Sequence, residues 1–317
     1  MQDESPSFYL YRLSFTDESG RARRTVGVIG GLEVVDEGAG GVLPHERTTP
    51  KAKTDRLDLT RATQCNLSPV WGLSLARGLT ALLLEPGTQV ATCVDEQGVL
   101  HELERISDPL RLADIMIRID SEAVLIADGH HRYAISRAYR DETRETALAA
   151  ASQLTMTFVQ ELVEEQLSVE AIHRLYDVPA SDLLPALEAH FEIVDAGPVR
   201  STVIADMSAR GALCMVDEGL RGRFLLPRAE VFSGTRDLDS ARLEHCLASV
   251  PHEVRYQHGI GEVLDQLRNG EMKSAILIRP VSIDEIRRTA HTGDLMPPKS
   301  TFFTPKLRTG LVMRPLA

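Results

Sequence analysis

Two spacings of hydrophobic residues alternate along the chain, and each predicts a different kind of element. Short apolar runs that are rich in β-branched and aromatic residues predict strands, whereas apolar residues three and four positions apart predict helices. The predicted strands are residues 8–14, 24–35, 66–75, 80–85 and 154–163, with a hairpin over residues 90–103. One helix is predicted to begin near Asp55, with Thr54 or Asp55 as its cap. A second helix is predicted over residues 108–119.

The pattern changes character after about residue 178. The elements predicted there are a helix at 181–191, a strand at 192–196, a hairpin over 212–227, a helix at 238–250, and a strand–helix–strand–helix run over 254–293. Because strands and helices intermix, the fold class is α/β or mixed α+β. We therefore predict two regions, residues 1–178 and an α+β region at 179–317.

The composition is that of an ordinary soluble globular protein, since 43% of the 317 residues are apolar and 26% are charged. No apolar run approaches the roughly 20 residues that span a bilayer, and residues 1–15 lack the features of a secretory signal, so we expect no membrane association. The formal net charge is −11 and no basic patch stands out, which disfavours nucleic-acid binding. The four cysteines lack CxxC spacing, which favours reduced thiols and a cytoplasmic location.

The densest polar cluster lies where a strand pattern gives way to a helix pattern, in VLIADGHHRYAISRAYRDE. The run Val124–Ala127 predicts a buried strand, Asp128-Gly129 a turn, and residues from about 131 to 140 a helix. A helix N-terminus presents backbone N–H groups and the positive end of the helix dipole, which favour an anion such as a phosphate. Arg132 adds a planar guanidinium that matches phosphate oxygens. The candidate ligand site therefore consists of Asp128, Gly129, His130, His131 and Arg132.

Other polar segments are weaker candidates. His45 and Glu46 lie in a loop before a helix and are suited to act as a general base or as metal ligands, although a solvated loop also explains them. Lys299 lies in a C-terminal segment that lacks the GxxxxGK[ST] pattern of a Walker loop. A structural role explains His173 at least as well as a ligand role does. The chain contains no serine nucleophile elbow, no HExxH zinc motif and no complete dinucleotide fingerprint.

Four segments, in this order, resemble the bacterial family known as domain of unknown function 1015. They are VLPHERTTPKAKTDRLDLTRATQCNLSPVWGL, ADGHHRYAISRAYRDE, LTMTFVQELVEEQLSVEAIHRL and LMPPKSTFFTPKLRTGLVMRPL. The resemblance extends over nearly the whole chain. Members of that family usually carry a further N-terminal segment with a Pro-Pro-Tyr-Asp motif, which this sequence lacks, so we expect such a segment to be missing here.

More remotely, the strand–DGHHR–helix segment resembles the nucleotide-binding box of the ParB/sulfiredoxin-like fold, whose members include free L-serine kinases. Sulfiredoxins carry a catalytic cysteine where this chain has His130, and partition proteins carry a helix-turn-helix that we do not find. The resemblance therefore disfavours both of those activities. It implies that His131 and Arg132 bind phosphate, and that Asp128 and His130 correspond to the kinase version of the box.

The resemblance favours a nucleotide- and Mg²⁺-dependent phosphotransferase that acts on a small hydroxylated metabolite such as L-serine. In this hypothesis Asp128 binds Mg²⁺, Glu46 accepts the hydroxyl proton, and ATP or another nucleoside phosphate is the donor. Catalysis is assigned to Glu46, Asp128 and His130. The residues assigned to the nucleotide are Gly129, His131, Arg132, His45 and Lys299.

Two alternatives stay open at this point. The first is a metal-dependent hydrolase in which His45, Asp128, His130 and His131 bind a transition metal. The second is a non-catalytic protein that binds nucleotide in a regulatory role. The partners expected in the leading hypothesis are a small-molecule substrate and a nucleotide. We expect His45 and Glu46 to share one cleft with the DGHHR box, with Lys299 at its rim.

Overall fold

We analysed a computed structural model of the chain, which describes residues 3–18, 20–46, 54–200 and 202–316. The strands in these ranges are β1 (Phe8–Thr16), β2 (Ala22–Glu33), β3 (Val42–Pro44), β4 (Cys65–Asn66), β5 (Val70–Ser74), β6 (Thr88–Val94), β7 (Leu100–Ile106), β8 (Val124–Asp128), β9 (Leu154–Glu161), β10 (Ser168–Glu170), β11 (Ile172–Tyr176), β12 (Phe191–Pro198), β13 (Leu213–Asp217), β14 (Arg221–Pro227), β15 (Val254–His258), β16 (Ser274–Leu277), β17 (Phe302–Thr304) and β18 (Arg314–Pro315). The α-helices are α1 (Thr54–Thr63), α2 (Leu79–Leu84), α3 (Pro109–Asp120), α4 (His130–Glu142), α5 (Ala149–Ser152), α6 (Ala180–Glu188), α7 (Val203–Arg210), α8 (Asp239–Leu247), α9 (Ile260–Arg268) and α10 (Ile283–Thr292).

The chain forms two compact units. The first unit comprises the described residues of Met1–Ser168, Ile283–Leu295 and Phe303–Ala317, and the second comprises Val169–Ser282 and Met296–Phe302. The two C-terminal segments of the first unit are joined to the rest of it by a hydrogen bond and by strand pairing. Arg287 donates to the Leu162 carbonyl at 2.9 Å, and β18 pairs with β4. The sequence-based boundary near residue 178 stays a prediction.

The first unit is built on a mixed eight-stranded sheet in the order β3-β8-β5-β9-β2-β1-β7-β6. The pairs β3–β8 and β5–β9 are parallel, whereas the other neighbours are antiparallel. In the β3–β8 pair Val42 lies opposite Val124, and Pro44 lies opposite Ile126. Since parallel strands end at the same edge of a sheet, the residues that follow Pro44 lie beside the residues that end β8.

Helices α2 and α3 cover part of this sheet. Leu79 and Leu83 of α2 are fully buried in one cluster with Leu10 and Val26 of the sheet, whereas Leu84 is largely exposed. The strand predicted at residues 80–85 is therefore wrong, because this segment is helix. An apolar run of six residues fits either element, and only the burial of Leu79 and Leu83, four positions apart, reveals the helical period.

The second unit is built on an antiparallel sheet in the order β12-β14-β13-β16-β11-β15. Successive residues of β13 face two different clusters: Leu213 and Met215 pack with α6 and α8, whereas Cys214 and Val216 pack with α7 and α9. This period of two is the expected signature of a strand that is buried on both faces. The sheet of the second unit thus has a hydrophobic cluster on each face.

Most of the other predicted elements are confirmed, including β1 and β2, the β6–β7 hairpin, α3, and the strand–helix–strand–helix run from β15 to α10. Helix α7 was not predicted. His173 is buried, and its Nδ1 accepts the Ile278 N–H at 3.2 Å. Burial lowers the pKa of His173 to about 4, which is the behaviour of a structural histidine. In the described ranges, no helix has the length and apolar character required to cross a bilayer.

Candidate active site

The candidate site is built on the junction between β8 and α4. Strand β8 is buried until its last residue, Asp128, and α4 begins at His130. Gly129 between them has a φ of +93°, a backbone conformation that favours glycine. A Cβ at this position would come within 2.8 Å of the Arg132 Nε. The predicted strand, turn and helix are confirmed, with the helix starting one residue earlier than expected.

Two cations flank the Asp128 carboxylate at this junction. The Arg132 guanidinium donates to Oδ2 at 2.7 Å, and the Lys306 ammonium donates to Oδ1 at 3.3 Å. Burial alone would raise the pKa of Asp128, but the charges of Lys306 and Arg132 outweigh it, so the pKa lies below its usual value. Asp128 is therefore an anion at neutral pH.

Arg132 is held from three sides. Besides Asp128, its guanidinium donates to the Pro69 carbonyl and, at 3.4 Å, to the Ser68 hydroxyl. Burial lowers the pKa of Arg132 and Asp128 opposes this shift, but an arginine remains charged in either case. The guanidinium is thus a fixed positive charge beside the first turn of α4.

The segment after β3 brings a second group of polar side chains to the junction. His45 is fully buried and its ring lies 4.9 Å from that of His130, centroid to centroid. Its Nδ1 lies 2.6 Å from the Ile126 carbonyl oxygen. Because a carbonyl only accepts, Nδ1 carries a proton. The Glu46 carboxylate lies 3.9 Å from the Nε2 of His45.

Aromatic rings form an apolar boundary beside these polar groups. Phe303 packs edge-on against His45 at 5.8 Å and lies 5.7 Å from Trp71, measured between ring centroids. Trp71 is opposite Asp128 in the β5–β8 pairing, and its ring also contacts Phe158. Buried rings lower the local dielectric, which strengthens the electrostatic interactions of neighbouring charges.

A hydrogen-bonded network fixes the segment that carries Lys306. Two residues further on, the Arg308 guanidinium pairs with Asp95 at 2.6 Å. Asp95 also bonds His101 at 2.9 Å, and Tyr11 bonds the other ring nitrogen of His101 at 2.7 Å. Burial alone would raise the pKa of Asp95, but the His101 and Arg308 hydrogen bonds hold it below its usual range.

The structure brings together several of the residues singled out from the sequence: His45, Glu46, Asp128, Gly129, His130 and Arg132. His131 lies half-buried in the first turn of α4. Lys299 belongs to the second unit, where its side chain is exposed and its carbonyl accepts from Arg174 at 3.0 Å. Its assignment to the nucleotide, like the other role assignments, stays a prediction.

Sequence analysis missed Lys306, which contacts Asp128 from the C-terminal segment. It lies in the same C-terminal segment as Lys299, and the sequence holds no feature that distinguishes the two lysines. Lys51 and Lys53, which follow Glu46 in the sequence, lie outside the described residues.

Asp128 supplies a carboxylate at the junction, and His45, Glu46 and His130 contribute further polar groups there. Among the described residues, no three side chains of the His, Cys, Asp and Glu types form a group able to hold a metal ion. The metal-dependent hydrolase hypothesis stays a prediction. Mg²⁺ needs only one or two carboxylates, together with waters and substrate phosphates, and Asp128 provides one such oxygen ligand.

The chain belongs to the family described as "Protein of unknown function (DUF1015)", whose model matches residues 1–241. No curated protein sequence matches the chain. SbnI with a C-terminal truncation, from Staphylococcus aureus, is 13% identical with a TM-score of 0.50, over 91% of this chain and 87% of that chain. A glutamate-to-alanine mutant of free serine kinase in complex with AMP is 12% identical with a TM-score of 0.50, over 89% of this chain and 92% of that chain. The family match confirms the predicted family, and the structural similarities confirm the fold class.

Proposed function

We propose that the protein is a nucleotide- and Mg²⁺-dependent phosphotransferase whose acceptor is a small hydroxylated metabolite such as L-serine. The observation that carries the proposal is the β8–α4 junction, where an anion, a fixed guanidinium and a helix N-terminus lie together. Phosphoryl transfer depends mainly on positioned phosphates, a bound cation and an oriented hydroxyl, and these groups suit each of those tasks. The fold shared with free serine kinase in complex with AMP supports this choice of ligand.

In this proposal the phosphates bind at the start of α4. The first amides of a helix have no acceptor within the helix, and Gly129 has no side chain to cap them. Arg132 adds its charge beside these amides, and His131 lies in the same turn. Asp128 is the ligand of Mg²⁺, which would neutralise phosphate charge as the bond to the leaving group breaks.

Glu46 is assigned to the acceptor hydroxyl. Its carboxylate lies 3.9 Å from His45 Nε2, and a carboxylate attracts a proton donor. A substrate hydroxyl that donates to Glu46 becomes a better nucleophile as its proton leaves. His130, in ring contact with His45, completes the proposed catalytic group.

The proposal is tested by the variant Glu46→Gln. We expect it to bind ADP and AMP like the wild type but to transfer phosphate to L-serine about 10²–10⁴-fold more slowly, since an amide cannot act as a general base. Single-turnover transfer from ATP and from ADP measures the rate, and isothermal titration calorimetry measures the affinity. Glu37→Gln is the matched control, because Glu37 is an exposed glutamate that pairs only with Arg137 among the described residues.

Two results would change the assignment. If Glu46→Gln transfers phosphate at the wild-type rate, Glu46 is not the base. If the wild type binds nucleotide but no hydroxylated acceptor supports transfer, the protein is a nucleotide-binding protein without this activity. A cytoplasmic location is part of the proposal, and the free state of all four cysteines is consistent with it.

A further inference from the structure

The two large sheets have four edge strands in the described residues, β3 and β6 in the first unit and β12 and β15 in the second. Natural proteins protect such edges with charged residues, proline or very short strands, because an unpaired edge is a template for another strand. Strand β3 is three residues long and ends in Pro44, β12 contains Glu192 and Asp195, and β15 contains Arg255. Strand β6 has the sequence TQVATCV, with neither a charge nor a proline. It is therefore the edge with the least protection against pairing.

Strand β6 is also exposed on both of its faces, since all of its residues except the half-buried Ala91 are exposed. Val90 is 50% exposed and Val94 is 66% exposed. Leu84, the last residue of α2, lies shortly before β6 in the chain and is 63% exposed. Large apolar side chains exposed in and just before an unpaired edge strand indicate an interaction surface.

The direction of the backbone groups shows which residues of β6 a partner strand would meet. The register shift of the β6–β7 pair lies before Ala91, and the pairing is regular from there to Val94. The Asp95 N–H donates to the Val99 carbonyl at 3.0 Å, so Asp95 faces β7. Since this direction alternates along an antiparallel strand, the N–H and C=O groups of Thr92 and Val94 point away from β7.

The charge distribution favours a second copy of this chain as the partner. With a formal net charge of −11, two copies repel one another at long range. Strand β6 adds no charge to the contact, and on the adjacent β7 the acids are paired, Glu102 with Arg24 at 3.6 Å and Glu104 with Arg12 at 2.8 Å. An identical uncharged strand therefore meets β6 without like-charge repulsion across the strands.

We propose that β6 pairs antiparallel with β6 of a second copy of the chain, about a twofold axis at Cys93. In this register Thr92 of each copy exchanges backbone hydrogen bonds with Val94 of the other. The same surface patch serves both copies, which is the usual symmetry of a homodimer. Thr92, Cys93 and Val94 lie outside the candidate active site, so the dimer goes beyond the proposed function and does not depend on it.

The register also places two cysteines opposite each other. Cys93 is exposed and lies between the outward-facing Thr92 and Val94. At a non-hydrogen-bonded position of an antiparallel pair the two Cα atoms are about 4.5 Å apart, within the range of about 4.4–6.8 Å that a disulfide spans. The pairing therefore brings the two Cys93 thiols within reach of one another.

The test is the variant Val94→Lys in the full chain. A lysine on an edge strand opposes pairing, and both copies in a dimer carry the change. We expect the dissociation constant of the dimer to rise by about tenfold or more, since apolar burial is lost and like charges are brought together. Sedimentation velocity over a range of protein concentrations measures the constant, and the melting temperature shows whether the variant is folded.

Two further variants support this measurement. Val254→Lys is the matched control, because Val254 is an exposed valine of the edge strand β15 in the second unit, and the dissociation constant should not change. Thr92→Pro replaces Val94→Lys if that variant does not fold. Proline removes an N–H that points away from β7, so no bond between β6 and β7 is lost.

Cross-linking tests the register. Diamide oxidises two thiols to a disulfide and takes up their hydrogen atoms, and we expect it to convert the wild type into a covalent dimer on a non-reducing gel. Cys93→Ser should sediment like the wild type but give no covalent dimer. Val94→Lys should give the covalent dimer more slowly, because fewer of its molecules are paired.

A dimer that is weakened by Val94→Lys, persists in Val254→Lys and cross-links through Cys93 supports the proposal. A wild type that sediments as a monomer at every concentration overturns it, and so does a dimer that Val94→Lys leaves unchanged. A dimer that only Val254→Lys weakens pairs through β15 instead. If the wild type gives no covalent dimer, or if Val94→Lys gives it equally fast, the twofold axis does not lie at Cys93.

Discussion

The two units each contain a strand, a glycine with positive φ and a helix in direct succession, but the two junctions differ in chemistry. In the first unit β8 leads through Gly129 (φ +93°) into α4, and in the second β15 leads through Gly259 (φ +77°) into α9. The third residue of α4 is Arg132, whereas the third residue of α9 is Glu262. A Cβ at Gly259 would overlap the Glu262 carboxylate, so this acid lies against the start of its own helix.

The two helix starts differ in the charge of their third residue, which is a glutamate in α9 and an arginine in α4. A glutamate at the third helical position interacts favourably with the first amides and the positive end of the dipole. Helix α9 therefore has its own negative charge, and β15, the edge strand that precedes it, is largely exposed. Helix α4 has an arginine at that position and follows a buried strand, and in the proposed function its start receives the phosphates.

The largest effect is expected when the α4 junction is made to resemble that of α9. Arg132→Glu replaces the guanidinium with a carboxylate beside Asp128 and the phosphates, so both attraction is lost and repulsion is added. We expect ADP affinity to fall by about 100-fold or more, since one charge-assisted contact alone contributes about 1.5–3 kcal/mol. Calorimetry measures the affinity.

Two further variants serve as controls for Arg132→Glu. Arg132→Gln removes the charge without adding repulsion and should weaken ADP binding by about 10- to 100-fold. Arg137→Glu introduces the same charge change further along α4, where the native arginine pairs with the exposed Glu37, and should leave ADP binding near the wild type. An Arg132→Glu protein that is folded and binds ADP normally would show that the phosphates lie elsewhere.

A smaller effect is expected from the two glycines. Gly129→Ala and Gly259→Ala each place a side chain at positive φ, which costs roughly 1–2 kcal/mol of stability. Only the first is expected to weaken ADP binding as well, because its Cβ would come within 2.8 Å of the Arg132 Nε and displace the guanidinium. Chemical denaturation measures the stability and calorimetry the affinity. Equal effects of both variants on ADP binding would contradict the distinction between the junctions.

The α4 junction was predictable because its signals are local. The apolar run Val124–Ala127, the Asp128-Gly129 turn and the helical spacing that follows lie within twenty residues, and each fixes its own short segment. The prediction for residues 80–85 was wrong because this segment has no such local signal. A short apolar run has no local feature that separates strand from helix. In the fold, the burial of Leu79 and Leu83 against the sheet shows that this segment is a helix.

The composition of the site was less predictable than its position. His45 and Glu46 became candidates for the shared cleft through family resemblance, because no pattern in the sequence joins them to His130. Lys306 is 178 residues from Asp128, and their contact depends on the return of the C-terminal segment to the first unit. Such contacts arise from tertiary topology, which hydrophobic spacing alone does not specify.

The smallest effect is expected from Glu262→Gln at the α9 junction. The neutral amide keeps the size of the side chain but removes the charge that faces the helix start, so α9 should lose about 0.3–1 kcal/mol of stability at low ionic strength. Added salt should reduce this difference, because it screens the interaction between the carboxylate and the dipole. ADP affinity should not change, since the acid belongs to the second junction. Urea denaturation at low and high salt measures the stability. A Glu262→Gln protein that is as stable as the wild type at low salt would mean that the carboxylate does not neutralise the start of α9, and the contrast between the two junctions would then depend on Arg132 alone.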